Sequence, residues 1–123
     1  MNLVHSNDVC IAGATSFLWW NRIRVSDRFY RLDSDKQLAV LMHEFGHIIH
    51  RHTEKRILCL IFTPWRLIEM MKRQEFQADY YAARQGCADT LIEILQGDGG
   101  GDSFHPSNSE RREALRAHSL SPR

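Results

Sequence analysis

The spacing of apolar and polar positions changes character along the chain. Between Val9 and Val25, Arg22-Ile23-Arg24-Val25 alternates polar and apolar, and Thr, Val, Phe and Trp are frequent. A period of two with β-branched and aromatic residues predicts two strands forming a small sheet or hairpin. Trp19 and Trp20 fall between the strand candidates and read as core or cover. From Asp35 to about His52 the period lengthens. Leu38, Leu41, Met42, Phe45, Ile48 and Ile49 recur every three or four residues, the apolar stripe of a buried helix. Ser34-x-x-Gln37 offers a capping box at its start.

A second long helix is expected from Thr63-Pro64, where proline suits a first turn, to Gly86 as a left-handed C-terminal cap. A shorter one should follow from Ala88 to Gln96, and Gly97-Asp98-Gly99-Gly100-Gly101-Asp102 then breaks the helical pattern. The last helix should open at Ser107, with Ser107-x-x-Glu110 as another capping box. Strands first and helices after describe an α+β chain. Its 123 residues fit one domain over 1–123, with one core hosting whatever chemistry there is.

The longest apolar run, Ile57-Leu58-Cys59-Leu60-Ile61-Phe62, is far shorter than the roughly 20 residues a membrane-spanning helix needs. It is expected to pack into the core; an interfacial or partner contact is the alternative. The formal net charge of +1 argues against a nucleic-acid partner, which would require a surplus of Lys and Arg on one face. Cys10, Cys59 and Cys87 have no C-x-x-C spacing and read as reduced, buried thiols. No basic stretch followed by a long apolar segment opens the chain, so a cytoplasmic location is the default expectation.

One motif changes this picture. His43-Glu44-Phe45-Gly46-His47 is an H-E-x-x-H sequence on the first long helix. Residues four apart share a helix face, so His43 and His47 can offer two imidazole nitrogens to one zinc ion. Glu44 stands beside that face as a general base for an attacking water. A shuffled chain of this composition would show the motif in roughly 2% of cases, so its context matters. A catalytic zinc takes a third protein ligand and keeps one position open. Glu75 in Glu75-Phe76-Gln77-Ala78-Asp79 meets that need, and Asp79, four residues on, is placed to accept the other N–H of a ligand histidine. His50, three residues after His47, could instead close the site as a fourth ligand and make it structural. His5 and His118 have no partner at a telling spacing and are expected to be solvated. Arg66, Lys72 and Arg73 read as an exposed basic face.

The segment Leu38 to His47, with Arg51-His52 after it, resembles the active-site helix of the HtpX and CAAX prenyl protease family of gluzincins, metallopeptidase family forty-eight. Glu75-Phe76-Gln77-Ala78-Asp79 is similar to that family's glutamate-ligand helix. Phe104-His105-Pro106 with Glu110-Arg111 is similar to its downstream His-Pro and Glu-Arg signature, and Ile23 to Ser26 resembles its edge strand. The likeness covers roughly residues 10 to 115. It implies a zincin-like fold with a small mixed or antiparallel sheet, an active-site helix and a glutamate-ligand helix. It also implies one catalytic zinc ion on His43, His47 and Glu75, with Glu44 as base, Asp79 orienting a ligand, and His105 stabilising the oxyanion or contacting substrate. The function implied is a zinc-dependent endopeptidase acting on a protein or peptide substrate. The chain departs from the family in having only the six-residue apolar run where large members carry membrane spans, and Trp19-Trp20-Asn21 where they have a small glycine-containing turn. Prenylated peptides and damaged membrane proteins are therefore not transferred as substrates. Two rivals stand beside this reading: an ImmA/IrrE-like regulatory protease that cuts a repressor, which shares the H-E-x-x-H helix followed by E-x-x-A, and a non-catalytic binding module stabilised by zinc.

Overall fold

The computed structural model describes residues 2–7, 11–17, 20–97, 101 and 105–120. Cys10, Trp19 and Phe104 lie outside them. Three strands come first: β1 (Asn2–His5), β2 (Ala12–Phe17) and β3 (Trp20–Val25). Among the described residues they form one mixed sheet in the order β1-β3-β2. β2 and β3 are the expected antiparallel pair, with Ala12 opposite Val25 and Phe17 opposite Trp20. β1 was not expected. It adds in parallel on the far side of β3, with Leu3 opposite Ile23. The alternation in β3 decides its faces: Ile23 and Val25 are fully buried, while Arg22 and Arg24 lie on the other side. Trp20 opens β3 as cover, with the Arg22 guanidinium 4.6 Å from its ring centre.

This order corrects one expectation. Ile23 to Ser26, read as an edge strand, is paired on both sides, and the edge on the helical side is β2. A third strand, β1, claims the edge of β3 that a two-strand hairpin would leave open.

A short helix α1 (Asp27–Tyr30) leads into α2 (Ser34–Ile49). Asp33, not Ser34, caps α2, its carboxylate accepting the Lys36 N–H at 3.0 Å. Gln37 turns away to donate to the Phe29 carbonyl, so the expected capping box does not form. α2 lies between two apolar clusters. Ile23, Val25, Phe29, Val40 and Ile48 join it to the sheet. Ala39 joins it to Ala82, Ala83, Cys87, Leu91, Leu95 and Leu115 on the later helices.

Because α2 is enclosed from both sides, its buried positions differ from the apolar stripe. Leu38 and Ile49 are half exposed, whereas His43, Glu44, Gly46 and His47 are buried. The polar motif occupies the centre of the molecule.

α2 does not continue to His52. It ends at Ile49, and Arg51 adopts a left-handed conformation (φ 53°) from which α3 (His52–Phe62) departs in a new direction. Such a backbone in a non-glycine residue costs about 1–2 kcal/mol. α3 corrects a second expectation: of the run from Ile57 to Phe62, only Cys59 is buried. A turn of 3-10 helix (Pro64–Arg66) leads into α4 (Leu67–Ala82). A wide turn (Ala83–Cys87) contains Gly86 at φ 91°, the left-handed position expected there. α5 (Ala88–Ile94) and α6 (Asn108–Leu120) complete the fold. The Ser107 capping box forms, the Glu110 N–H donating to Ser107 Oγ and the Ser107 N–H to Glu110 Oε1.

Cys59 and Cys87 are buried free thiols. Arg66 and Arg73 are exposed as expected, with Arg73 paired to Glu69 at 3.2 Å, whereas Lys72 is half-buried. His5 and His118 are not merely solvated: His5 Nε2 meets Asp27 Oδ1 at 2.7 Å, and the His118 ring packs edge-on against Tyr80. Among the described residues, no helix is long and apolar enough to cross a membrane.

Candidate metal centre

α2 and α4 cross where neither has a bulky side chain. A Cβ added to Gly46 would lie 3.0 Å from Tyr81 Cβ, 3.1 Å from Ala78 Cα and 3.2 Å from the Ala78 carbonyl oxygen. That approach carries Glu75 and Asp79 of α4 to the face of α2 that bears His43 and His47.

Three contacts define the result. His43 Nε2 lies 3.2 Å from His47 Nε2, and Glu75 places Oε2 3.3 Å from the first and Oε1 3.1 Å from the second. Ligand bonds of about 2.0–2.1 Å arranged tetrahedrally around zinc would put ligand atoms about 3.3 Å apart. His43, His47 and Glu75 thus form a group with the separations and donor types a zinc ion takes. His50 is not in it. The break at Arg51 leaves its ring stacked on His52, centres 5.5 Å apart, so a fourth-ligand role for His50 is not supported.

The far side of each imidazole is also occupied. His43 Nδ1 lies 2.6 Å from Asp79 Oδ1, which can only accept, so Nδ1 carries a proton and Nε2 is the nitrogen turned toward Glu75. His47 Nδ1 lies 2.7 Å from His52 Nδ1, and His52 Nε2 lies 2.8 Å from Gln77 Oε1. A single arrangement satisfies this chain: His52 donates from Nε2 to Gln77 and accepts from His47 at Nδ1, which turns His47 Nε2 toward Glu75 as well. The turn at Arg51 makes this possible by folding His52 back onto His47. Gln74 holds the strand of contacts in place, donating to the His52 carbonyl and accepting from Arg56.

Asp79 is gripped from its other side by Arg111 of α6, whose Nε and terminal nitrogen donate to Oδ2 and Oδ1 at 2.8 Å each. Bidentate pairing of this kind is strong and fixes orientation. Sequence reasoning gave no specific task to Arg111 or His52 and passed over Gln77, because their partners lie 32, 5 and 25 residues away across turns that no periodicity describes.

The charges explain the local titration. Burial disfavours a charged His43, yet its hydrogen bonds to Asp79 and Glu75 prevail and raise its pKa to about 10. Burial also works against the Glu75 and Asp79 carboxylates. Hydrogen bonds from the two histidines to Glu75, and from Arg111 and His43 to Asp79, outweigh it and hold both below the usual carboxylate range. The paired carboxylates thus favour positive charge at His43. His52 behaves oppositely: burial and the neighbouring His47 lower its pKa to about 3, keeping it neutral and able to accept.

A cavity of about 630 Å³ opens on this group. His43, Glu44, His47 and Glu75 line it together with His105, and Arg111 contributes from α6. Ile11 and the start of β2, Ala12 to Ala14, form another part of its wall. The Ser16 N–H points off the sheet to Thr53 Oγ1, so alternation turns the peptide groups of Ala12 and Ala14 to the same outer edge. His43, Glu44, His47, Glu75 and His105 therefore meet in one cavity, with Asp79 behind its wall against His43. The chain matches no protein-family model, no curated protein and no solved structure.

Proposed function

We propose that this chain is a zinc-dependent endopeptidase of gluzincin type, with zinc held by His43, His47 and Glu75. The observation that carries the reading is the convergence of both Nε2 atoms and the Glu75 carboxylate at 3.1–3.3 Å, with buried Glu44 on the wall of the same cavity. Bound zinc supplies Lewis acidity that polarises a scissile carbonyl and makes a water acidic enough to attack near neutral pH. Glu44 takes the proton of the attacking water and returns it to the leaving amine. Asp79 and His52 hold the imidazoles in register, and His105 is assigned the contact with the substrate carbonyl oxygen, where negative charge grows.

The substrate class is an extended protein or peptide segment. The outer edge of β2 offers main-chain hydrogen-bonding groups beside the metal ligands, and the small side chains at Ala12, Gly13 and Ala14 let another backbone come close. A purely structural zinc would be closed by a fourth ligand. Here the three-residue group borders a cavity large enough to admit a peptide segment.

Elemental analysis of the purified protein tests the metal, and Glu44→Gln tests the chemistry. The expected result is one zinc per chain, absent from His47→Ala. Glu44→Gln should retain zinc and lose cleavage of a peptide mixture, followed by mass spectrometry, by about 100-fold or more. No zinc uptake after adding the metal back, or cleavage by Glu44→Gln at the wild-type rate, rejects the proposal.

A further inference from the structure

The turn between α3 and α4 exposes a concentration of large apolar side chains that the metal centre does not use. Exposure rises toward the turn, from 55% at Leu58 and Leu60 through 65% at Ile61 and 70% at Phe62 to 77% at Trp65. In the second half of α3 only Cys59 faces the protein interior. The apolar groups therefore cover most of the circumference of a projecting helical tip rather than one flat face.

Charge follows the same segment. Residues 51–73 carry six Arg and Lys side chains against Glu54 and Glu69, with Arg56 turned inward to Gln74 and Lys72 half-buried, whereas the whole chain has a formal net charge of +1. The rest of the molecule is net negative. Arg51 and Arg73 are engaged by Glu54 and Glu69, while exposed Lys55 and Arg66 border the apolar tip directly.

We propose that this tip docks on an anionic lipid surface. A projecting tip with an indole and a phenyl ring at its apex and cations around its base matches what the interfacial zone of a bilayer accepts. Apolar groups enter the headgroup and acyl boundary, indole settles at the headgroup level, and Lys and Arg attract acidic headgroups. A second copy of the chain fits less well. A self-complementary face would bring the basic base of one tip against that of the other, with the net negative remainder of the molecule turned away. Docking leaves the cavity accessible, since only the first turn of α3, through His52, Thr53 and Arg56, contributes to its wall.

The test uses the zinc-loaded full chain with vesicles of phosphatidylcholine alone and of phosphatidylcholine with phosphatidylserine. The protein should float with the acidic vesicles and much less with the neutral ones, and high salt should weaken the association. Brominated lipids should quench the wild-type fluorescence, and Trp65→Phe should remove most of that quenching although Trp19 and Trp20 remain. The pair Ile61→Ser with Phe62→Ser should reduce binding roughly tenfold or more, with the far-UV circular dichroism and zinc content unchanged because both side chains point away from the fold. Lys55→Glu with Arg66→Glu should remove the preference for acidic vesicles. Three outcomes overturn the proposal: no vesicle binding, binding indifferent to the Ile61 and Phe62 changes, or a dimer in sedimentation that those changes dissociate, which would give the tip to a second copy.

Discussion

Gly46→Ala is the smallest change that should disturb the metal centre without touching a ligand. The new methyl would sit 3.1 Å from Ala78 Cα and 3.2 Å from the Ala78 carbonyl oxygen, and these are backbone atoms that no side-chain rotation can move aside. Ordinary carbon contacts need about 3.5–4.0 Å, so α2 and α4 must part by roughly half an ångström at their crossing. Overpacking of this kind costs about 1–3 kcal/mol. Alanine recovers about 1 kcal/mol as a better helix former than glycine. The net loss of fold stability is about 0–2 kcal/mol, a modest fall in the thermal midpoint.

The metal should feel more. His43 and His47 ride on α2 and Glu75 on α4, so the same parting opens the 3.1 and 3.3 Å separations that match a tetrahedral ion. We expect zinc affinity to fall by about 10–100-fold, the range seen when support around metal ligands is lost. Competition against a chromophoric chelator measures this directly. A Gly46→Ala protein that binds zinc as tightly as wild type, with an equal or higher thermal midpoint, would refute the idea that close helix contact sets the ligand geometry.

Asp79→Asn should also lower zinc affinity by about 10–100-fold. It leaves Arg111, largely enclosed, with only Glu75 at 3.9 Å as an ionic partner, so the thermal midpoint should drop as well; a variant retaining both values would remove Asp79 from the support of His43. In metal-free protein the raised His43 pKa stabilises the fold fully below pH 6.5, and that contribution is lost as pH rises through about 10. The lowered pKa of His52 acts the other way, its contribution being intact above pH 6.5 and lost as pH falls toward about 3. Thermal midpoints of the metal-free protein should thus decline on both sides of neutrality, and a midpoint constant from pH 7 to 10 contradicts the His43 assignment. Zinc binding at pH 8 should release about one proton per chain as His43 is deprotonated, read from calorimetry in buffers of different ionisation enthalpy, with no release counting against it.

Much of this protein is determined by local pattern. The alternation at Arg22 to Val25, the left-handed glycine at Gly86 and the Ser107 capping box each depend on neighbours in sequence, and each is found where the sequence places it. The four-residue spacings of His43 with His47 and of Glu75 with Asp79 put each pair on one helix face, since helix geometry alone decides that. What the pattern could not decide is how those faces meet. Gly46 against Ala78 brings the helices together, and Arg51 in a left-handed turn returns His52 to His47. The third strand makes β2, rather than the strand at Ile23, the edge beside the cavity. The Ile57 to Phe62 run shows the same division from the other side: its hydrophobicity is plain in the sequence, and its exposure is not. Burial depends on which surfaces the rest of the chain supplies, and only Cys59 of that run finds one. Long-range packing chooses among faces that local sequence makes equally available, and this choice sets both the geometry of the His43, His47 and Glu75 group and the exposed tip.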